Sequence, residues 1–262
     1  MRNFTFDNEI KIIEHFRDSN YPPLGLPENE ENIKIIHSLY KDINWKNWTN
    51  NSGKDQLPPD FYNIKEKLML EVMRIDDHAS NEGKANIIKK NENRMLRELQ
   101  STGILDNLSP DASVFTLTDS KLSTNEDHNY VKYFENFKRI VEKHSNQVSN
   151  YRENYPNYKL IFFVFDESSG TYFETPEKSS EIIVKKGMEL IGKLHFYWLD
   201  KKFVNIIENS KADYFIWYKP YGYFETREGI NDILPKVIIY DLKDMKVEKI
   251  KYNSSKMISS EI

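Results

Sequence analysis

The stretch that decides the fold is Leu68-Met69-Leu70-Glu71-Val72-Met73-Arg74-Ile75. Nearly all of it is apolar, which predicts a strong strand. Asp60-Phe61-Tyr62 and the polar turn 63–66 precede it and complete a predicted hairpin. The turn places Asp60 opposite position 69 or 71, and either register puts Asp60 and Glu71 on one face. Their Cβ atoms would then lie about 5 to 8 Å apart.

The segments around this hairpin predict an alternation of helices and strands. Residues 8–18, 30–40, 84–100, 130–147 and 200–209 have helical patterns, and 159–165, 214–218 and 236–240 have strand patterns. Prolines break the chain at 21–27, and the polar segments 46–56 and 103–129 predict loops. This order predicts an α/β fold with a mixed sheet flanked by helices. We expect a single α/β domain over 1–262, with a core at about 30–240 and a peripheral C-terminal tail at about 241–262.

Composition limits the class of protein. The chain has 262 residues, 39% of them hydrophobic and 30% charged, which is typical of a globular protein. It contains no cysteine, so disulfides, thiolate zinc sites and cysteine nucleophiles are excluded. No apolar run is long enough to cross a membrane and no secretory signal is evident, which predicts a cytoplasmic location without membrane attachment. The net charge of -4 disfavours a protein that coats nucleic acid non-specifically.

Glu71 is the candidate site residue that this pattern singles out. A carboxylate in an apolar strand is expensive to bury unless it is paired or bound to a cation. Asp60 on the same face would add a second negative charge. A divalent cation such as Mg²⁺, which prefers oxygen ligands, would relieve the repulsion between them. The alternative is a structural ion pair between Glu71 and Arg74 or a nearby lysine.

Pro59-Asp60, followed by Glu71-Val72-Met73 on the next strand, resembles the signature of the PD-(D/E)XK nucleases. The resemblance implies a restriction-endonuclease-like core, Mg²⁺ or Mn²⁺ held by Asp60 and Glu71, and a nucleic acid partner. It also implies hydrolysis of phosphodiester bonds in DNA or RNA. Met73 occupies the position of the family's lysine. Lys84, Lys89 or Lys90 of the predicted helix 84–100 would then supply the basic group; otherwise the chain would be an inactive module of the same fold, which binds nucleic acid or a protein partner.

Other charged residues are weaker candidates. Lys90, Arg94 and Arg97 follow helical spacing and form a basic stripe, which either contacts a phosphate backbone or is a solvated helix face. An upstream acid, Glu30 or Glu31, would complete the metal site.

Three further positions have a structural interpretation, and the first two also have a functional one. We expect Asp76-Asp77-His78 to form a solvated turn, although His78 would serve as a base if it reached the site. We expect Asp166-Glu167 to be solvated at a strand end, although ligands gather at such ends in open α/β sheets. His195 is expected to be a core histidine with a satisfied hydrogen bond.

Overall fold

The computed structural model describes residues 8–40, 45–52, 59–77, 94, 98, 101–103, 128–183, 189–222, 224–226, 229–231 and 234–260. Its helices of a full turn or more are α1 (Glu9–Ser19), α2 (Glu30–Tyr40), α3 (Tyr130–Ser145), α4 (Val148–Asn154) and α5 (Lys201–Glu208). Its strands are β1 (Pro23–Leu26), β2 (Trp48–Asn50), β3 (Phe61–Asn63), β4 (Leu68–Ile75), β5 (Lys159–Asp166), β6 (Tyr172–Glu174), β7 (Lys193–Leu194), β8 (Tyr214–Tyr218), β9 (Phe224–Thr226), β10 (Gly229–Asn231), β11 (Val237–Asp241) and β12 (Met257–Ser259).

The main sheet is mixed, as the sequence predicts. Within the described residues it has seven strands in the order β1-β11-β8-β5-β4-β3-β2. β4, β5 and β8 run parallel, whereas β2, β3 and β4 form an antiparallel meander. The α/β class is therefore confirmed.

Helices cover both faces of this sheet, and β4 contributes alternate side chains to the two cores. Leu70 and Val72 pack in the core beneath α1 and α2. Met69 and Met73 pack in the core beneath α3, α4 and α5. Glu71 lies between these two methionines in sequence, so its side chain belongs to the face that α3 covers.

Most of the elements predicted around the hairpin are confirmed within two residues. The predicted helix 84–100 lies outside the described residues, apart from Arg94, Glu98 and Ser101, which are helical. The segments expected to break the chain at 21–27 and to loop at 46–56 contain the edge strands β1 and β2. Both strands are defined by pairing with distant segments, which local turn signals do not report.

The C-terminal segment is not peripheral, which corrects our expectation for 241–262. β12 pairs antiparallel with β6, and its three residues are buried. The Tyr252 hydroxyl donates a hydrogen bond to the Leu194 carbonyl at 3.0 Å. β12 has only three residues, so the sequence pattern does not predict it. The strand is defined by its pairing with the distant strand β6. Among the described residues, no helix combines the length and the apolar character that a membrane crossing requires.

Candidate metal site

Asp60 lies where β3 begins beside β4. Phe61 pairs with Leu70 and Tyr62 with Met69, so the same register sets Asp60 opposite Glu71, as predicted. Oδ2 of Asp60 accepts a hydrogen bond from the backbone N–H of Val72 at 2.8 Å. This bond extends the hydrogen bonding between β3 and β4 by one position, with the Asp60 carboxylate in place of a backbone carbonyl. It also fixes the Asp60 carboxyl against the outer edge of β4.

The Glu71 side chain is 4% exposed, and its two oxygens have different surroundings. Oε1 accepts a hydrogen bond from the Tyr151 hydroxyl at 3.1 Å and lies 2.8 Å from Nδ1 of His144. An ionised carboxylate only accepts, so Nδ1 must then carry the proton. Oε2 is buried and has no hydrogen-bond partner among the described residues. A buried polar atom in this state needs an explanation, such as a bound ion or water.

Arg74 does not pair with Glu71, so the alternative of a structural ion pair between these two residues is wrong. Its guanidinium bonds to the carboxylate of Glu167, with Nη2 2.8 Å from Oε2. Arg74 points to the other face of β4, as expected from the alternation along a strand. Glu71 does have a titratable partner, but it is His144.

Two other buried carboxylates have a similar set of partners, each a histidine and a tyrosine. Asp77 is 3.1 Å from Nδ1 of His128 and accepts a hydrogen bond from the Tyr172 hydroxyl at 3.0 Å, on different oxygens. Asp200 is bonded on Oδ2 by Tyr130 and His195, and on Oδ1 by a backbone N–H. Both oxygens of each carboxylate are therefore satisfied, whereas Glu71 keeps one that is not. His195 is a satisfied core histidine, as predicted.

Asp166 is fully buried, so the expectation of a solvated strand end was wrong for this residue. Its Oδ2 accepts hydrogen bonds from Tyr133 and from Nε1 of Trp217, the latter at 3.0 Å. Ser168 bonds to Oδ1, and Nζ of Lys219 lies 3.6 Å from Oδ2. Asp77, 1% exposed, likewise does not form the solvated turn that we expected. These distant partners make both carboxylates part of the core.

Electrostatic repulsion between Asp60 and Glu71 contributes to a raised pKa of Asp60. Burial, the negative charge of Glu71 and, to a smaller extent, that of Glu9 raise the pKa of Asp60 to about 8, although the hydrogen bond from Val72 opposes the shift. Burial and the same Glu71 charge raise the pKa of Tyr151. The Asp60 carboxyl therefore keeps its proton at neutral pH when no cation is bound.

An opening of about 310 Å³ lies along the outer edge of β4, next to this pair. Helix α1 contributes Glu9 and Ile12 to its lining, and β4 contributes residues 72–74. Helix α3 contributes Arg139, Lys143 and His144, together with Ile140. The lining thus combines one carboxylate, that of Glu9, with basic side chains of β4 and α3. Asp60 and Glu71 are not part of the lining, but they adjoin it through their contacts with Val72 and His144.

Several predicted site residues lie elsewhere or outside the described residues. Lys84, Lys89, Lys90, Arg97 and His78 are outside them. Arg94 is exposed, and its Nε lies 3.7 Å from Glu98 in an i,i+4 pair, the arrangement of a solvated helix face.

The third acid is also not where we expected it. Glu31 accepts hydrogen bonds from Lys159 and, at 2.6 Å, from Tyr214, and Glu30 is exposed. Glu9 is the helical acid close enough to act on Asp60.

The sequence interpretation missed Glu9, His144 and Tyr151. One signal for His144 was present: it lies three residues after Val141 on the stripe of α3 that faces the core, where a polar side chain needs a partner. Nothing local identifies that partner, because the contact with Glu71 spans 73 positions.

The donor set restricts the cation. No cluster of three or more His, Asp or Glu side chains suited to a metal occurs within the described parts of the chain. A cation held by Asp60 and Glu71 would have two carboxylate ligands from the described residues. This suits Mg²⁺ or Mn²⁺, which bind oxygen and, for Mg²⁺, retain several waters; structural Zn²⁺ sites use four protein ligands.

Comparison with protein-family models, curated proteins and solved structures finds no match to this chain. Function has to be inferred from the geometry of the Asp60–Glu71 pair and its surroundings.

Proposed function

We propose that this protein is a metal-dependent nuclease with a restriction-endonuclease-like core, and that it hydrolyses phosphodiester bonds in DNA or RNA. The observation that carries the proposal is the buried Oε2 atom of Glu71. It has no partner among the described residues, and Asp60 lies opposite it in the hairpin. The proposal accounts for that atom, because it becomes a ligand for Mg²⁺ or Mn²⁺.

The topology around the pair supports this core. An antiparallel hairpin carries both carboxylates, helix α3 follows it in the described chain, and β5 then runs parallel to β4. The resemblance to PD-(D/E)XK nucleases itself rests on the motif residues Pro59-Asp60 and Glu71-Val72-Met73. α1 adds Glu9 on the outer side of the pair.

The side chains around the pair would have two roles in such a site: binding the cation and orienting its ligands. Asp60 and Glu71 would hold the cation, with Asp60 in its ionised form. His144 and Tyr151 hold Oε1 of Glu71, so that Oε2 keeps its orientation. A bound divalent cation would supply an activated water and stabilise charge on the scissile phosphate.

A second candidate is a module of the same fold that binds nucleic acid or a protein without cutting. It is favoured by Met73, which occupies the position of the family's lysine and is 2% exposed. Its side chain packs in the core beneath α3 and carries no charge to the site. In this alternative Asp60 and Glu71 still bind a cation.

A cleavage assay tests the proposal. The purified protein is incubated with a mixture of single-stranded and duplex DNA and RNA, with Mg²⁺ or Mn²⁺. We expect cutting that EDTA stops. Asp60→Asn should abolish it without unfolding the chain, because the variant keeps the shape of the side chain but loses a metal ligand.

Glu31→Gln is the matched control, since Glu31 is an acid of the predicted site that contacts Lys159 and Tyr214 instead. It should cut as wild type does. Cutting by a folded, pure Asp60→Asn variant would exclude this site. Metal binding without any cutting would favour the non-catalytic module.

A further inference from the structure

The basic side chains of α3 fall into two groups. On its outer surface Lys132 pairs with Glu135 at 2.7 Å and Lys138 with Glu142 at 3.8 Å. These exposed pairs are ordinary i,i+3 and i,i+4 contacts of a solvated helix.

The second group lines the opening beside the carboxylates. Neither Arg139 nor Lys143 has a carboxylate within 4.0 Å among the described residues, although both are close in sequence to the acids of α3. The contact of Arg139 is with a neutral group, since its Nη2 donates to Oδ1 of Asn136 at 2.6 Å. These two positive charges, one helical turn apart, therefore have no ion pair among the described residues, although Glu135 and Glu142 line a neighbouring opening on α3 together with them.

The position of these charges matters because the carboxylates beside them repel an anionic substrate. Arg74, a third cation at the opening, is neutralised by Glu167. Arg139 and Lys143 are thus the groups available to offset the repulsion from Glu71 and Glu9. The bond to Asn136 orients the planar guanidinium of Arg139, which suits it to a phosphate.

We propose that Arg139 and Lys143 form a phosphate subsite that holds the phosphate next to the one cleaved. This rests on the proposed function and specifies its substrate: a nucleic-acid strand with consecutive phosphates, rather than a mononucleotide. The strand crosses the outer edge of β4 and contacts α3 at Arg139 and Lys143. Its neighbouring phosphate lies at Asp60 and Glu71.

Binding is measured by fluorescence anisotropy with labelled single-stranded and duplex oligonucleotides, in EDTA and in the Asp60→Asn background. That background prevents cutting. Arg139→Gln with Lys143→Gln should weaken binding at least 10-fold, as an order-of-magnitude estimate, and lower the slope of log affinity against log salt by about 2. Inorganic phosphate and a nucleoside monophosphate serve as competitors and should displace the oligonucleotide only weakly.

The matched control is Lys132→Gln with Lys138→Gln, which removes the same charge from the same helix. It should change affinity less than about two-fold, because exposed paired cations contribute little. Equal losses in the two double variants would overturn the subsite, because net charge alone would then explain binding. So would the absence of any binding in the Asp60→Asn background, or displacement by the monophosphate as strongly as by unlabelled strand.

Failure of the subsite is distinguishable from failure of the nuclease proposal. Stabilisation by Mn²⁺, measured on the Arg139 and Lys143 double variant with Asp60 intact, reports on the carboxylates alone. Normal stabilisation with unchanged nucleic-acid affinity would overturn the subsite and leave the metal centre. Loss of affinity in a protein that Mn²⁺ does not stabilise would support the subsite and remove the metal centre.

Discussion

Nδ1 of His144 lies 2.8 Å from Oε1 of Glu71, and this contact connects α3 to the middle of β4. The Tyr151 hydroxyl bonds to the same oxygen from α4. Both donors therefore bind one oxygen of the carboxylate and leave the other without a partner among the described residues. Asp77 and Asp200 have the same kinds of partner but no such atom, so the difference marks Glu71 as the unusual member of the set.

Tyr151→Phe tests whether this orientation serves a metal. Removing the hydroxyl should lower the free energy of unfolding by about 1 to 3 kcal/mol, because a buried carboxylate loses a hydrogen bond. It should also weaken Mn²⁺ binding about 10- to 100-fold, since a group that orients a ligand is lost. Denaturant unfolding and thermal-shift titration measure the two effects.

Tyr172→Phe is the control for that experiment, because it removes a hydrogen bond of similar length, 3.0 Å, to the buried Asp77. We expect a comparable loss of stability and an unchanged response to Mn²⁺. Equal weakening of the Mn²⁺ response in both variants would mean that Tyr151 acts only on the fold.

Met73→Lys restores a cation at the position of the family's lysine. Met73 is buried but borders the opening, whereas Met69, 0% exposed on the same face, does not. We expect Met73→Lys to lower the melting temperature less than Met69→Lys does, because only the first amine can reach water and the two carboxylates. A loss as large as that of Met69→Lys, not reduced by Mn²⁺, would show that the opening does not accommodate the amine.

The raised pKa of Asp60 predicts a specific dependence of stability on pH in EDTA. The carboxyl keeps its proton up to about pH 8 in the folded protein, but ionises near its ordinary value in the unfolded chain. A raised folded-state pKa contributes stability at low pH that is lost as the pH rises through about 8. Each such group gives a slope of at most about 1.4 kcal/mol per pH unit.

Asp60→Asn lacks this titration. Its melting temperature relative to wild type should rise steadily between pH 5 and pH 8, and Mn²⁺ should remove much of the difference by stabilising the wild-type carboxylates. Parallel pH profiles for the two proteins would contradict the raised pKa of Asp60.

The hairpin and the face that Asp60 and Glu71 share could be predicted from the sequence, because both depend on residues close together in the chain; the choice between the two possible registers could not. A short polar turn between apolar segments fixes which face Asp60 and Glu71 share. The surroundings of Glu71 could not be predicted, because His144 and Tyr151 reach it only after α3 and α4 pack on the sheet. The same reason explains Asp166: its partners Tyr133 and Trp217 lie on separate elements, so a buried carboxylate appeared to be a solvated strand end.

The central claim is that Asp60 and Glu71 form a site for a divalent cation, and thermal melts of wild type and Glu71→Gln, in EDTA and in Mn²⁺, test it most directly. Glu71→Gln keeps an oxygen for His144 and Tyr151 and removes the charge that repels Asp60. In EDTA its melting temperature should equal or exceed that of wild type. Mn²⁺ at 100 times its dissociation constant should stabilise wild type by about 2.7 kcal/mol, and the variant should lose most of that gain. A variant much less stable than wild type in EDTA, together with no Mn²⁺ response in wild type, would contradict the account and make Glu71 a structural partner of His144.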